Sequence, residues 1–164
     1  MFPNLKNKHL NDSFFTAKDI IKYLKKNKVY PKFEIPKAVI FCYDRSFFND
    51  LLKKEKLTKT NFYNLYLINN TNNKIGIIGG FGIGAPSVVR LFEELIALGI
   101  KKFVSFGTSG TLQKDINVGD LVICNRAIRD EGVSHHYIKS SKYAFSSDKL
   151  LKKAKNIFDK KAKK

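Results

Sequence analysis

The spacing of apolar positions changes period several times along the chain, and each change marks an element. In "TAKDIIKYLKKNK" apolar residues recur three and four apart behind Thr16, with Asp19 three residues on, which predicts a capped helix. The prolines of "YPKFEIP" interrupt that pattern, so residues 1–36 are expected to form an N-terminal helical appendage to a domain over 37–164. "AVIFCY" is a short continuous apolar run suited to a buried strand, and "DRSFFNDLLKKEKL" resumes helical spacing from Asp44. "NFYNLYLI" and "KIGIIGG" read as two strands joined through the turn-rich "NNTNN" into a hairpin. A helix follows from Pro86 to Leu98, with Val88, Leu91, Phe92, Leu95 and Ile96 on one stripe and Gly99 as its stop. It delivers the strand "KKFVSF", and "GDLVICNRAI" reads as a further strand. In the tail, Leu150, Leu151, Ala154, Ile157 and Phe158 sit at helical spacing among lysines, which predicts a basic amphipathic helix docked on the domain.

Strands alternating with helices over short connections predict a layered α/β fold whose central strands run parallel, with ligands at their carboxyl ends. Two glycine-rich turns stand at such ends. "GGFGIG" lies between the strand ending near Ile78 and the helix opening at Pro86, and "GTSG" closes the strand after it. Glycines permit positive φ and let backbone N–H groups approach an anion, which the helix N-terminus also favours. The first turn alone could equally serve to pack its helix on the sheet. Its G-x-G-x-G spacing, with no acidic residue at the end of the next strand, argues against a dinucleotide site. With Thr108 and Ser109 offering hydroxyls in the second turn, the two together suggest an anion cradle.

The 164-residue length suits one ordinary domain, and 43% hydrophobic content is enough for a real core. No run approaches the roughly 18 apolar residues of a membrane helix, and "MFPNLKNKHLND" lacks the apolar middle of a secretory signal, so a cytoplasmic protein without membrane partners is expected. Cys42 and Cys124 stand far apart, outside any C-x-x-C pattern, and read as inert thiols. The formal charge of +17 raises the question of nucleic acid. Yet only four of the 31 basic residues are arginines, the residue that makes forked contacts to phosphate and base edges, so specific nucleic-acid recognition is disfavoured. His135 and His136 would point to opposite faces of an extended segment, and no carboxylate spacing completes a metal site with them. Asp130 and Glu131 diverge for the same reason, which disfavours an acid–base pair.

The run from Gly79 to Tyr137 resembles the nucleoside phosphorylase family, in particular its uridine phosphorylase-like branch. The family's glycine turn of G-x-G-hydrophobic-G-x-P-S form, followed by Glu-Leu, is matched by Gly80, Gly82, Ile83, Gly84, Pro86, Ser87, Glu94 and Leu95. Val89 and Arg90 depart from it, where a small residue and isoleucine are usual. "GTSG", "INVGDLVI" and "RDEGVSHHY" keep the family's order, and "AVIFCYDR" is a weaker match.

The resemblance implies an α/β sandwich around a mixed, mainly parallel sheet, and reversible phosphorolysis of a nucleoside, uridine-like by this branch, to a free base and ribose 1-phosphate. Nucleoside and inorganic phosphate would be its substrates, with no cofactor and no metal, in a homo-oligomer, dimer or hexamer. It places Arg45, Gly82, Gly84, Thr108 and Ser109 around phosphate, and Thr108 with His9 at the ribose. Ser105 stands where the family has an arginine, "FCYDR" replaces a glycine-aspartate-proline turn, and Lys59 stands where a neighbouring subunit usually lends an arginine. Weaker phosphate capture is therefore expected, and water as nucleophile, as in related nucleosidases, is the alternative. A basic nucleic-acid-binding protein is a further alternative. Nothing after Tyr137 resembles the family's base-recognition segments, so a truncated reading frame, a fragment or one half of a two-chain enzyme is expected, any of which could leave the chain inactive.

Overall fold

A computed structural model describes residues 7–162, with side chains over 7–159. The described residues divide into two compact units, Ser13–Gly110 and 7–12 together with 111–162.

The first unit carries a five-stranded sheet. Its elements are α1 (Ala17–Lys26), β1 (Ala38–Cys42), α2 (Arg45–Lys54), β2 (Leu57–Lys59), β3 (Leu65–Ile68), β4 (Ile75–Gly79), α3 (Ala85–Ala97) and β5 (Phe103–Phe106). The strand order is β2-β3-β4-β1-β5. β1 runs parallel to both β4 and β5, whereas β4–β3 and β3–β2 are antiparallel, so the fold is α/β around a mixed sheet that is parallel at its centre. The predicted hairpin is the β3–β4 pair. β2 was not anticipated: Glu55 leaves the helical pattern for an extended backbone, and Leu57 then pairs with Ile68 instead of prolonging α2.

Helices α2 and α3 cover opposite faces of the sheet. On one face Val39, Phe41 and Ile78 are buried with Leu91 and Leu95 of α3, and Phe41 stacks on Phe92 at 4.4 Å between centroids. Ile21 of α1 joins this cluster, so residues expected as an appendage pack within the same unit as the sheet. α1 starts as predicted, with the Thr16 N–H and hydroxyl donating to Asp19 Oδ2 at 3.1 and 2.6 Å. On the other face Phe48 of α2 packs with Cys42 and Ile77. Gly79 has to be glycine there, because a Cβ would stand 2.6 Å from the Phe48 ring.

The second unit holds a two-stranded antiparallel ladder of β6 (Arg126–Ile128) and β7 (Tyr143–Phe145), and helix α4 (Asp148–Ala162). The strand expected over "GDLVICNRAI" is reduced to β6. Val118, Leu121 and Val122 are exposed, and among the described residues no strand of this unit offers residues 119–125 a ladder. An extended segment without a pairing partner gains nothing from regular strand geometry. α4 forms as predicted, with Leu150, Leu151 and Ala154 half-buried but Ile157 and Phe158 exposed, so only its first turns dock. No helix among the described residues is long and apolar enough to cross a membrane.

Candidate functional site

The three parallel strands end level with one another, Cys42 facing Gly79 on one side and Phe106 on the other. The chain therefore leaves β1, β4 and β5 at one edge, and turns there into α2, α3 and the Gly107–Gly110 segment. A crevice at the carboxyl ends of parallel strands is where α/β sheets bind ligands.

Gly80, Gly82 and Gly84 all have positive φ, of 66°, 87° and 94°, which a side chain would resist. The turn they make leads into α3 through Pro86, and the Ser87 hydroxyl donates back to the Ile83 carbonyl at 3.3 Å. Across the edge, the Tyr43 N–H donates to the Phe106 carbonyl at 2.8 Å, drawing the ends of β1 and β5 together. Gly107 permits this approach, since a Cβ there would stand 3.2 Å from Tyr43 Cβ. The Thr108 hydroxyl then reaches Asp44 Oδ2 at 3.3 Å, while Asp44 Oδ1 accepts the Phe47 N–H at 2.7 Å and caps α2. Tyr43 also meets Phe81 of the first glycine turn edge to face at 5.2 Å, and its hydroxyl is 3.5 Å from Ser105 Oγ.

Arg45, Gly82, Gly84, Thr108 and Ser109 thus all lie in segments leaving this one edge of the sheet. Arg45 and Ser109 are solvent-exposed, and Arg45 enters no salt bridge with any described residue. His9 belongs to the other unit, half-buried in a 3-10 turn, Lys8–Leu10. Lys59 is exposed on β2, its ammonium 6.0 Å from the centre of the Tyr66 ring. Burial pushes the Cys42 thiol up, which keeps it protonated.

Two features went unread in the sequence. Asp44 places a carboxylate beside Thr108, and its position immediately before Arg45 at a helix start was the available clue. The second is a triad. Glu94, 4% exposed, accepts hydrogen bonds from the Tyr63 hydroxyl at 3.0 Å and Arg90 Nη1 at 2.9 Å, and the same Nη1 donates to the Tyr63 oxygen at 2.7 Å. Burial first, and the bond to Glu94 second, push the Tyr63 phenol up, so it stays a donor.

In the second unit His135 and His136 sit in a 3-10 turn, Ser134–His136, and not in the extended segment assumed for them. Glu131 folds back to cap that turn, accepting from the Val133 and Ser134 N–H groups at 2.8 and 3.1 Å, and its bonds to Ser134 hold its carboxyl below the usual range. No cluster of three or more His, Cys, Asp or Glu able to hold a metal occurs among the described residues.

A family model for the phosphorylase superfamily matches residues 37–164. The chain is 39% identical over 84 residues to a uridine phosphorylase of Haemophilus influenzae, which is 51% of this chain and 33% of that protein. A uridine phosphorylase of Treponema pallidum is 52% identical over 56 residues, 34% of this chain and 22% of its own length. A guanosine phosphorylase of Halorubrum lacusprofundi is 45% identical over 56 residues, 34% of this chain and 23% of its own. The matched segment spans a third or less of these relatives.

Proposed function

This chain belongs to the phosphorylase superfamily, and from that premise we propose that it is a nucleoside phosphorylase-type polypeptide acting on a nucleoside, uridine-like, with inorganic phosphate as the second substrate. The observation that carries the reading is the gathering of Arg45, Thr108 and the Gly82–Gly84 turn at one edge of the sheet. In phosphorolysis a phosphate oxygen bonds to the anomeric carbon as the glycosidic C–N bond breaks, and the electron pair leaves with the base, which takes up a proton. The ribosyl group passes through an oxocarbenium-like state, so the protein's work is to position the anion and balance charge. Glycine amides and the α3 N-terminus favour the anion, Arg45 supplies a cation, and Thr108 with Ser109 supplies hydroxyls. The ribose falls to Thr108, and to a His9 lent by a neighbouring subunit.

A second reading rests on Asp44. Its carboxylate beside Thr108, with Ser105 in place of an arginine, lowers the positive potential of the crevice and favours water over phosphate as nucleophile. Uridine and inosine incubated with and without phosphate separate the two, since phosphorolysis requires the anion and yields ribose 1-phosphate. Release of base at equal rates in both conditions would replace the first reading with hydrolysis. A basic RNA-binding protein would instead show affinity that falls steeply with salt and survives Thr108→Ala. A cytoplasmic homo-oligomer accompanies the proposal.

A further inference from the structure

Tyr43 is the first residue beyond β1, and its contacts reach both glycine turns. Toward β4, its ring stands edge to face with Phe81 of the Gly80–Gly84 turn at 5.2 Å between centroids. Toward β5, its N–H donates to the Phe106 carbonyl at 2.8 Å, and its Cβ lies against Gly107, where a Cβ would stand 3.2 Å away. Phe41, two residues back, also supports Phe81, at 5.4 Å, but on β5 it meets Phe103 at the strand's opposite end. Tyr43 therefore makes the link at the level of the turns themselves.

The side chain is 47% exposed, so burial in the core does not account for its place. Its hydroxyl is 3.5 Å from Ser105 Oγ, longer than an O–H···O bond, which leaves the ring and the backbone as the groups that tie the two sides together. What they tie is costly to order. Gly80, Gly82 and Gly84 all hold positive φ, and the Gly107–Gly110 segment belongs to no helix or strand. A ligand that uses both turns must meet the entropy of fixing them, and a contact that joins them beforehand lowers that cost. Asp44 and Arg45 follow directly, so holding Tyr43 also holds the start of α2 that carries them.

We propose that Tyr43 is a positioning residue of the crevice: its ring couples the two glycine turns, so that an anion held against Gly82 and Gly84 also fixes Thr108. The coupling stands on the Tyr43 contacts alone, and its effect on phosphate rests on the phosphorylase reading. Tyr43 lies in "FCYDR", which replaces the family's glycine-aspartate-proline turn, so the tie is a feature of this chain.

The test follows backbone amides of the full chain by NMR in wild type, Tyr43→Ala and Tyr43→Phe, with relaxation measured first and inorganic phosphate titrated afterwards. Without phosphate, Tyr43→Ala should gain fast motion at Gly82, Gly84, Thr108 and Ser109, and Tyr43→Phe should not. Phosphate should bind Tyr43→Ala about fivefold more weakly, the scale of one aromatic pair, and at saturation it should still shift Gly82 while its shifts at Thr108 and Ser109 shrink. Tyr43→Phe keeps the ring and should restore affinity to within about twofold, together with the full response at Thr108. Wild-type order and affinity in Tyr43→Ala would overturn the coupling. A loss in Tyr43→Phe as large as in Tyr43→Ala would overturn it as well, because the hydroxyl would then be a direct ligand. If wild type binds no phosphate, the phosphorylase reading fails, and the relaxation comparison decides the coupling by itself. Should Tyr43→Ala fail to fold, Phe81→Leu removes the same ring pair from the other side and is expected to give the same changes.

Discussion

Asp44→Asn is the most informative single change, because it removes a charge from the crevice and keeps the cap bond to Phe47, while the contact with Thr108 reverses, the new amide N–H donating to the Thr108 oxygen and freeing its hydroxyl proton. Asp44 Oδ2 is 3.3 Å from the Thr108 hydroxyl, so a phosphate held by Thr108 would have its nearest oxygens roughly 5 Å from the carboxylate. Two unit charges at that separation repel by about 1 kcal/mol where water screens them, and by about 2 kcal/mol at half the dielectric constant of water. The half-exposed position of Asp44 argues for the lower figure, a gain of about fivefold in phosphate affinity on neutralisation. Asparagine is as good a helix cap as aspartate, so Oδ1 can still accept the Phe47 N–H and stability should change by less than about 0.5 kcal/mol. The assay is phosphate titration by calorimetry or phosphorus NMR at fixed ionic strength, starting from a wild-type affinity of about 1 mM, near 4 kcal/mol. Arg45→Ala serves as the opposite control and should weaken binding. Unchanged or weaker phosphate binding in Asp44→Asn, with an unchanged melting temperature, would refute the idea that this carboxylate faces the anion.

Leu95→Ala, at a position with 0% exposure between α3 and the sheet, should cost about 2–5 kcal/mol in denaturant unfolding. Gly79→Ala places a methyl 2.6 Å from the Phe48 ring, and a loss of about 1–3 kcal/mol with altered near-ultraviolet dichroism of the aromatic core is expected. The bonds from Thr16 hold the Asp19 carboxyl below its usual range, so its stabilisation of α1 is present above the unfolded-state value and is lost as pH falls through the lower folded value. Protection factors of α1 amides, the exchange rates corrected for the intrinsic pH dependence of exchange, should therefore fall on acidification, and Asp19→Asn should flatten that dependence.

Much of the first unit is legible in sequence because its cues are local. The Thr16–Asp19 cap, the stripe of α3, the stop at Gly99 and the glycine turn that needs positive φ each depend on residues within a turn or two of one another. The order of strand, turn, helix and strand then implies parallel neighbours and a crevice at their carboxyl ends, which is where Arg45, Thr108 and the glycines stand. Tertiary structure decided what depends on distant partners. Leu57 became a strand because Ile68 was there to pair with it, and residues 119–125 lost theirs because no ladder was. Asp44 and Thr108 are 64 positions apart, and Tyr63 meets Glu94 across 31. A hydroxyl or carboxylate carries no local mark of the partner it will meet, since the energy of such a contact exists only once packing has excluded water and fixed both groups; periodicity could therefore place the edge of the sheet, and only the folded chain could place a negative charge beside Thr108 and a neutralised arginine beside Tyr63.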